Sequence, residues 1–429
     1  MKRAYPNYKL ACGWNALLPE RVPEDILSTE VEADVAIIGA GYTGIAIAKR
    51  WHTHHPDHAV VLLDASEIGE GNPGRNSGFL LETALAEDAD AANLERMQQS
   101  NALIADTLQD MLHDVEESGE DVDFTRTGTY RAAASDIGAE SIGKYEAFLQ
   151  AANLPYEKLS RADLKQRIGS DYFQEGLYSP HCYLAQPAHL IRALFKTLPD
   201  SISVYENTPA LRIYRSNGRW HVTTPSGSVR CHKLFLANNA FAKSLGVARS
   251  QLVAMFTYAG ITPQLPESLH SQLGSDKNWG LLPTHRLGST LRRTVDHRFL
   301  IRSSHDYEWE ASPSSVERSL TRKMHARYPQ LEGVELESCW GGAVGFTFNG
   351  GLVWGEEKPG LFVSAGCNGG GTVKGTLLGK LLADHAAGIE VPDVTGLFGT
   401  ASWMPPDPIR AVGFHFTATM EEFFGRAEM

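Results

Sequence analysis

Ala33-Asp-Val-Ala-Ile-Ile38, Gly39-Ala-Gly41-Tyr-Thr-Gly44 and Ile45-Ala-Ile-Ala-Lys-Arg-Trp51 follow one another without a break. The first run is apolar and β-branched and reads as a buried parallel strand. The second is a G-x-G-x-x-G turn and the third reads as a helix. A second apolar strand, Ala59-Val-Val-Leu-Leu63, ends at Asp64, 20 residues past Gly44. That is the spacing of an acid that accepts a ribose hydroxyl. Gly39 permits the tight turn, Gly41 leaves room for a pyrophosphate, and Gly44 lets the helix pack close to the strand. The helix start offers unbonded N–H groups and about half a positive charge to phosphates. Strand, glycine turn, helix, strand and acid together point to a dinucleotide. They do not choose between a nicotinamide and a flavin.

Composition sets the class. The chain has 429 residues, 42% hydrophobic and 21% charged, which excludes a disordered or fibrous chain. At ~150 residues per domain, about three domains are expected. The net charge of −12 argues against a nucleic-acid partner. No uncharged apolar run approaches the ~20 residues of a membrane helix. The five cysteines are scattered without a C-x-x-C pair, so neither a disulfide framework nor a zinc site is expected. The N-terminus lacks the apolar core of a signal peptide, and the reading is cytoplasmic. Trp51-His-Thr-His-His-Pro-Asp-His58 reads as a solvated connector rather than a metal site; no metal is expected.

After Asp64 comes Ala65-Ser-Glu-Ile-Gly69-Glu-Gly71-Asn-Pro-Gly74-Arg75-Asn76-Ser77-Gly78-Phe79. A nicotinamide dehydrogenase proceeds to another helix and strand here. This chain instead has a long glycine-rich loop with one cation, Arg75. Near the C-terminus, Gly360-Leu-Phe-Val-Ser-Ala365 reads as a strand and Gly366-Cys367-Asn368-Gly369-Gly370-Gly371-Thr372 as a second glycine turn. Residues 372–387 read as a helix capped by Gly388.

Residues 39–44, Asp64 and 71–78 together resemble the D-amino-acid oxidase, glycine oxidase and sarcosine oxidase superfamily of FAD enzymes. They are most similar to the γ-glutamylputrescine oxidase branch. There the loop reads Gly-Ala-Ser-Gly-Arg-Asn-Gly-Gly, and residues 71–78 match five of its eight positions. The resemblance implies that this loop runs along the flavin. It further implies that the turn 366–372 faces the flavin pyrimidine ring, where a helix start stabilises developing negative charge. Leu184-Ala-Gln-Pro187-Ala-His-Leu-Ile-Arg192, Thr208-Pro-Ala210-Leu-Arg-Ile213, Arg219-Trp-His-Val-Thr223 and Leu234-Phe-Leu-Ala-Asn238-Asn-Ala240 resemble further family segments. The resemblance implies that Ala210 lies by the adenine side and that Asn238 belongs to the strand that closes the cofactor domain. The implied FAD contacts are Gly39, Ala40, Gly41, Tyr42, Thr43, Gly44, Asp64, Ala65, Gly71, Gly74, Arg75, Asn76, Ser77, Gly78, Ala210, Asn238 and residues 366–372. Read as carrying a single dinucleotide fingerprint, the chain does not fit the disulfide reductases.

The expected fold is α/β: a Rossmann-like FAD-binding domain of glutathione-reductase type and an α+β substrate domain on an antiparallel sheet. The FAD domain takes residues 33–90, 183–247 and 337–392, and the substrate domain 91–182 and 248–336. Residues 1–32 form an N-terminal arm and 393–429 a C-terminal arm on the cofactor domain. Residues 88–117 read as a helix with Leu94, Met97, Leu103 and Leu108 inward. Segments 253–262 and 291–302 read as strands.

In this family the flavin takes hydride from a carbon next to nitrogen, so an apolar cage is expected: Phe256, Tyr258, Trp340 and Phe346. Arg75 and His305 join Phe256 and Tyr258 as candidate catalytic residues. Arginines that clamp the substrate carboxylate in relatives fall at Val344 and in the turn 368–371, where this chain has none. A substrate without a carboxylate beside the reacting nitrogen is therefore expected, with Arg75, Arg292, Arg302 and Lys374 as other cations. The lysine that activates oxygen in the sarcosine-oxidase branch falls at Ile301. The cysteine that attaches flavin there also falls at Val344, so the FAD is expected to be non-covalent. Cys339 and Cys367 lie nearby. Three readings follow: an amine or amino-acid oxidase making hydrogen peroxide, a dehydrogenase using a quinone or carrier protein, and a non-catalytic FAD protein.

Overall fold

The computed structural model describes residues 8–83, 93–285 and 287–429. Glu30–Ile38 is the central strand of a parallel core whose order is Ile202–Tyr205, Val60–Leu63, Glu30–Ile38, Ser228–Leu236, Leu361–Ala365. Strand side chains alternate between faces, and both faces here are covered. Val35 and Ile37 join one hydrophobic cluster; Ala36 and Ile38 join the other. Ser228–Leu236 changes neighbour partway along. Residues 228–231 pair antiparallel with Arg219–Thr223, and Leu234 to Leu236 pair parallel with Leu361 to Val363.

Tyr42–His54 and Val373–Ala386 pack side by side over the first face, with Ile45, Trp51, Leu378 and Leu382 in one cluster. Small residues set their separation. A Cβ on Gly379 would lie 2.4 Å from the Thr43 carbonyl oxygen, and one on Gly375 would lie 3.1 Å from Thr43 Oγ1. That hydroxyl donates to the Gly375 carbonyl at 2.9 Å. The two helix starts therefore sit next to each other.

A second sheet has the order Ser338–Phe346, Val253–Ile261, Phe299–Tyr307, Thr290–Arg293, Trp279–Leu282, Thr129–Ala133, Glu175–Ser179, Glu157–Ser160. Every neighbouring pair is antiparallel except Trp279–Leu282 with Thr129–Ala133. The expected α/β fold, a Rossmann-like layer beside a largely antiparallel sheet, is what the chain adopts.

Several boundaries differ from expectation. Ser338–Phe346 bonds along its length to Val253–Ile261, so it is an edge of the second sheet rather than part of the first. The helix Leu94–Ser118 packs on the first layer instead of the second. Its Ile104, Leu108, Met111 and Val115 share a cluster with Ala48 and Leu382. Of its four expected inward residues, Met97 and Leu108 are buried and Leu94 and Leu103 only partly so. Expected helical residues 88–92 lie outside the described residues. Segment 291–302 holds parts of two strands, Thr290–Arg293 and Phe299–Tyr307. The C-terminal arm is divided: Val394 and Ala401 pack on the first layer as expected, whereas Ala418 and Met429 pack with Met255 and Leu287 of the second-sheet side, and Arg327 Nη2 donates to the Met429 carbonyl at 2.7 Å.

Gly379→Ala forces apart the two helices that bring their starts together. It is expected to lower stability by about 1–3 kcal/mol and to reduce retained flavin. Gly143 is exposed inside the helix Asp136–Ala151, and a Cβ added there would meet nothing within 4 Å. Gly143→Ala should therefore add about 1 kcal/mol. Urea unfolding of the two variants measures both, and a neutral Gly379→Ala would contradict the packing.

Candidate functional site

Three helix starts open into one cavity of about 690 Å³, a size common to cofactor and ligand sites. Gly41 caps Tyr42–His54, Gly71 caps the one-turn helix Asn72–Arg75, and Thr372 caps Val373–Ala386. None has a side-chain cap, so first-turn N–H groups at each start have no intrahelical acceptor.

The expectation of a single fingerprint is corrected by the middle start. Gly69-Glu-Gly71-Asn-Pro-Gly74 is a second G-x-G-x-x-G, and its backbone copies the first. Gly39 and Gly69 have φ of 103° and 95°. The caps Gly41 and Gly71 have φ, ψ of −85°, −171° and −78°, −175°. A Cβ on Gly44 would lie 1.8 Å from the Gly39 carbonyl oxygen, and one on Gly74 would lie 1.9 Å from that of Gly69. No strand leads directly into the second copy, so it adds a phosphate-type turn to the same cavity rather than a second dinucleotide domain.

Most sequence-expected cofactor residues line this cavity: Gly39, Gly41, Tyr42, Thr43, Asp64, Ala65, Gly71, Arg75, Asn76, Ser77, Ala210, Asn238 and residues 367–372. Ala40, Gly44, Gly74, Gly78 and Gly366 are absent from its wall and instead shape the turns. The Ala40 N–H donates to Asp64 Oδ2 at 2.8 Å. Asp64 Oδ1 accepts from the Ser66 N–H at 3.0 Å and from Ser66 Oγ at 3.3 Å. Burial pushes the Asp64 carboxyl above its ordinary pKa against these bonds. The turn 366–371 is pinned by asparagines. Asn239 Oδ1 accepts from the Gly366 N–H at 2.9 Å, and Asn368 Nδ2 donates to Gly350 and Gly366 carbonyls, each at 2.8 Å.

The candidate catalytic residues fare differently. Arg75 reaches the cavity wall but is 6% exposed, and its guanidinium is committed to the protein. Nε donates to the Glu70 carbonyl at 2.6 Å, and Nη1 to the carbonyls of Leu10 and Gly341, each at 3.0 Å. The Tyr8 ring lies 3.8 Å from the guanidinium carbon. Arg75 thus ties the loop to the N-terminal arm and the second sheet. Arg292 is likewise structural, donating to Ser77 and Ala185 carbonyls at 3.1 and 2.6 Å; burial pushes its pKa down to about 10.

Phe256, Tyr258 and Trp340 are not on the cavity wall; Phe346 is. For Phe256 and Tyr258 strand alternation is the reason. On Val253–Ile261 it is Thr257 that lines the cavity, and Phe256 and Tyr258 enter the core behind it. On Ser338–Phe346 the lining residues are Gly342, Val344 and Phe346. Trp340 shares their face, but it packs on Trp14 in a separate cluster at the start of the strand. His305 lies off the cavity against Phe414, ring centroids 6.0 Å apart.

The same alternation moves the cation expected to be missing. Ile301 is fully buried in the core, and its neighbour Arg302 lines the cavity. Sequence reasoning also missed Tyr8, Arg96, Met97, Ser100, Arg131, Phe241, Leu282 and Thr290 on the wall. Strand parity, applied across paired strands, was the available signal for those on the second sheet. Tyr8 had none. Its hydroxyl donates to Asn72 Oδ1 at 2.7 Å, and burial pushes its pKa up to about 12.

Residues 34–385 match a protein-family model described as FAD dependent oxidoreductase. A probable oxidoreductase OrdL of Rhizobium meliloti (strain 1021) is 26% identical over 384 residues, 87% of this chain and 88% of its own. The gamma-glutamylputrescine oxidoreductase of Escherichia coli (strain K12) is 24% identical over 373 residues, 85% and 86% of the two chains. The crystal structure of glycine oxidase from Geobacillus kaustophilus shares the fold, with TM-score 0.72 at 20% identity over 87% of this chain and 99% of that one. FAD is the cofactor of this family, and the donor set fits it. Three uncapped helix starts face the cavity, where anionic oxygens are best held. A carboxylate has about four lone-pair sites, so Asp64 keeps acceptor capacity beyond its three bonds to Ala40 and Ser66. Among the described residues no helix is long and apolar enough to cross a membrane.

Two outcomes are expected. Arg75→Lys keeps the charge but loses the fork that spans three carbonyls, so flavin-to-protein ratio and thermal midpoint should both fall. His305 is held down to about 4 from 6.5, first by burial and then by Lys323, Arg302 and His415. The unfolded chain takes up its proton near 6.5 and the folded chain does not, so stability is lost as pH falls from 6.5 towards 4. Thermal midpoints across that window should fall less steeply in His305→Gln than in the parent.

Proposed function

As this chain belongs to the FAD dependent oxidoreductase family, we propose that it is an amine or amino-acid oxidase that passes its electrons to oxygen. The observation that carries this reading is the single cavity faced by three uncapped helix starts on one side and a polar, partly cationic sheet on the other. Bound FAD supplies the two-electron acceptor: the substrate carbon loses hydride, its nitrogen a proton, an imine results, and oxygen is reduced to hydrogen peroxide.

The residues of the chain supply binding, charge and exclusion of water. The helix start at Thr372 offers fixed positive charge where an electron-rich edge needs it. Thr257, Val344 and Phe346 line the cavity from the second sheet with side chains that do not ionise at neutral pH. Tyr8, held protonated by its burial, fixes Asn72. Asn72 Nδ2 donates in turn to the Ala343 carbonyl, and Asn72 Oδ1 accepts from the Ala343 N–H at 2.9 Å. That bridge joins the loop to the substrate sheet. Arg302 puts a guanidinium on the strand where the resemblance had left none, and a nearby cation stabilises negative charge arriving on oxygen. Val344, a hydrocarbon facing the cavity, supports non-covalent attachment.

The purified protein should be yellow, release its flavin on acid precipitation, and bleach anaerobically with members of an amine and amino-acid panel. Air should then restore the colour faster than a quinone-like dye does. Arg302→Gln should slow re-oxidation more than reduction. A preparation bleached by amines but re-oxidised only by dye would move the assignment to a dehydrogenase, and one that no amine bleaches would remove the oxidase reading.

A further inference from the structure

The second sheet presents two adjacent rows of side chains with opposite faces. Leu281 pairs with both Tyr130 and Leu291, and Leu291 pairs with Ile301. All four are buried in one core cluster. In the next row Arg131 pairs with Leu282 and Thr290 with Arg302, and the Leu281–Leu291 register sets Leu282 beside Thr290. All four of these line the cavity. The row continues from Arg302 through Ala259 to Trp340, whose Nε1 donates to the Arg75 carbonyl of the cofactor loop at 3.0 Å, and from that end it runs outward across the sheet. At about 4.8 Å per strand, Arg131 lies three strands, some 14 Å, beyond Arg302.

Arg131 is built in. It is 6% exposed, its Nη1 donates to the Pro283 carbonyl at 3.2 Å, and its guanidinium carbon lies 4.6 Å from the Tyr145 ring centroid. Its Nε has no hydrogen-bond partner, and a buried donor left unmade is costly. Arg292 also has an unpartnered Nε, but it does not line this cavity. Arg96 adds a further guanidinium to the wall from the helix Leu94–Ser118. Among the described lining residues the only carboxylate is Asp64, at the end of the first sheet.

We propose that Arg131 is the anchor of an anion subsite for the far end of the substrate, which selects amines carrying a carboxylate remote from the reacting nitrogen. This rests on the oxidase reading for the word substrate, but the anion site itself does not. It also explains how the chain dispenses with arginines at Val344 and in the turn 368–371. The carboxylate is recognised at the opposite end of the molecule.

Two arms test it. In the first, the thermal midpoint of the holoenzyme is followed with glutarate or with uncharged glutaramide at constant ionic strength. Glutarate should stabilise saturably and glutaramide should not. Arg131→Gln should weaken glutarate by about tenfold or more, with Arg131→Lys between the two. Equal responses to both compounds, or none, overturn the subsite without recourse to any variant. In the second arm, 6-aminohexanoate and hexylamine are compared as anaerobic reductants of the flavin. The carboxylated amine should act at about tenfold lower concentration; equal potency overturns the subsite and leaves the oxidase reading standing. Glutarate binding through Arg131 with no bleaching by these two amines or by any member of the panel would sink the oxidase reading and leave the subsite in place.

Discussion

The close crossing of Tyr42–His54 and Val373–Ala386 is the constraint on which the site depends. A helix start attracts anionic groups only within its first turn, so two starts act on one ligand only if they are neighbours. Here the separation is fixed by what is missing. Gly375 and Gly379 carry no side chain where Thr43 approaches, and the Thr43 hydroxyl fills the space with a bond to the Gly375 carbonyl. Strands of the parallel core then deliver both starts from the same edge. Glu30–Ile38 leads into one, and Leu361–Ala365, two strands over, leads into the other. The second G-x-G-x-x-G brings a third start to the same place from a loop.

Much of this was legible because glycine patterns report local backbone geometry. The turns at 39–44 and 366–371 and the acid at Asp64 needed only sequence spacing, and the expected helix 372–387 differs from Val373–Ala386 by a residue at each end. The repeat at 69–74 carries the same glycine spacing but escapes notice, because it lacks the preceding strand that makes such a motif conspicuous. The helix Leu94–Ser118 shows the opposite limit. Its apolar period marks an inward stripe, but period alone does not say which layer that stripe meets, and it met the first.

The substrate wall was harder to read for a specific reason. A strand with both faces buried, such as Val253–Ile261, has no polar alternation to mark its cavity side, so Phe256 and Thr257 look equally placed. The same ambiguity exchanged Ile301 for Arg302. One residue of parity turns a hydrocarbon wall into a cationic one. Cross-strand pairing resolves it: once Ile301 is placed beside Leu291 and Leu281 in the core, Arg302 must share the opposite face with Thr290 and Leu282.

Arginines illustrate why charge type alone does not identify function. Arg293 donates through Nη1 to the carbonyls of Leu273, Gly274 and Asp276, and Arg327 donates to Lys323 and Met429 carbonyls. With Arg75, these guanidiniums are buried hubs that join distant segments. Burying a charge is tolerable when carbonyl dipoles replace its water, and the planar fork reaches several carbonyls at once where an ammonium does not. A guanidinium saturated in this way has little left for a ligand. The distinction that matters for chemistry is therefore between committed and uncommitted donors, and on that criterion Arg75, the cation most conspicuous in the sequence, is a strut rather than a clamp.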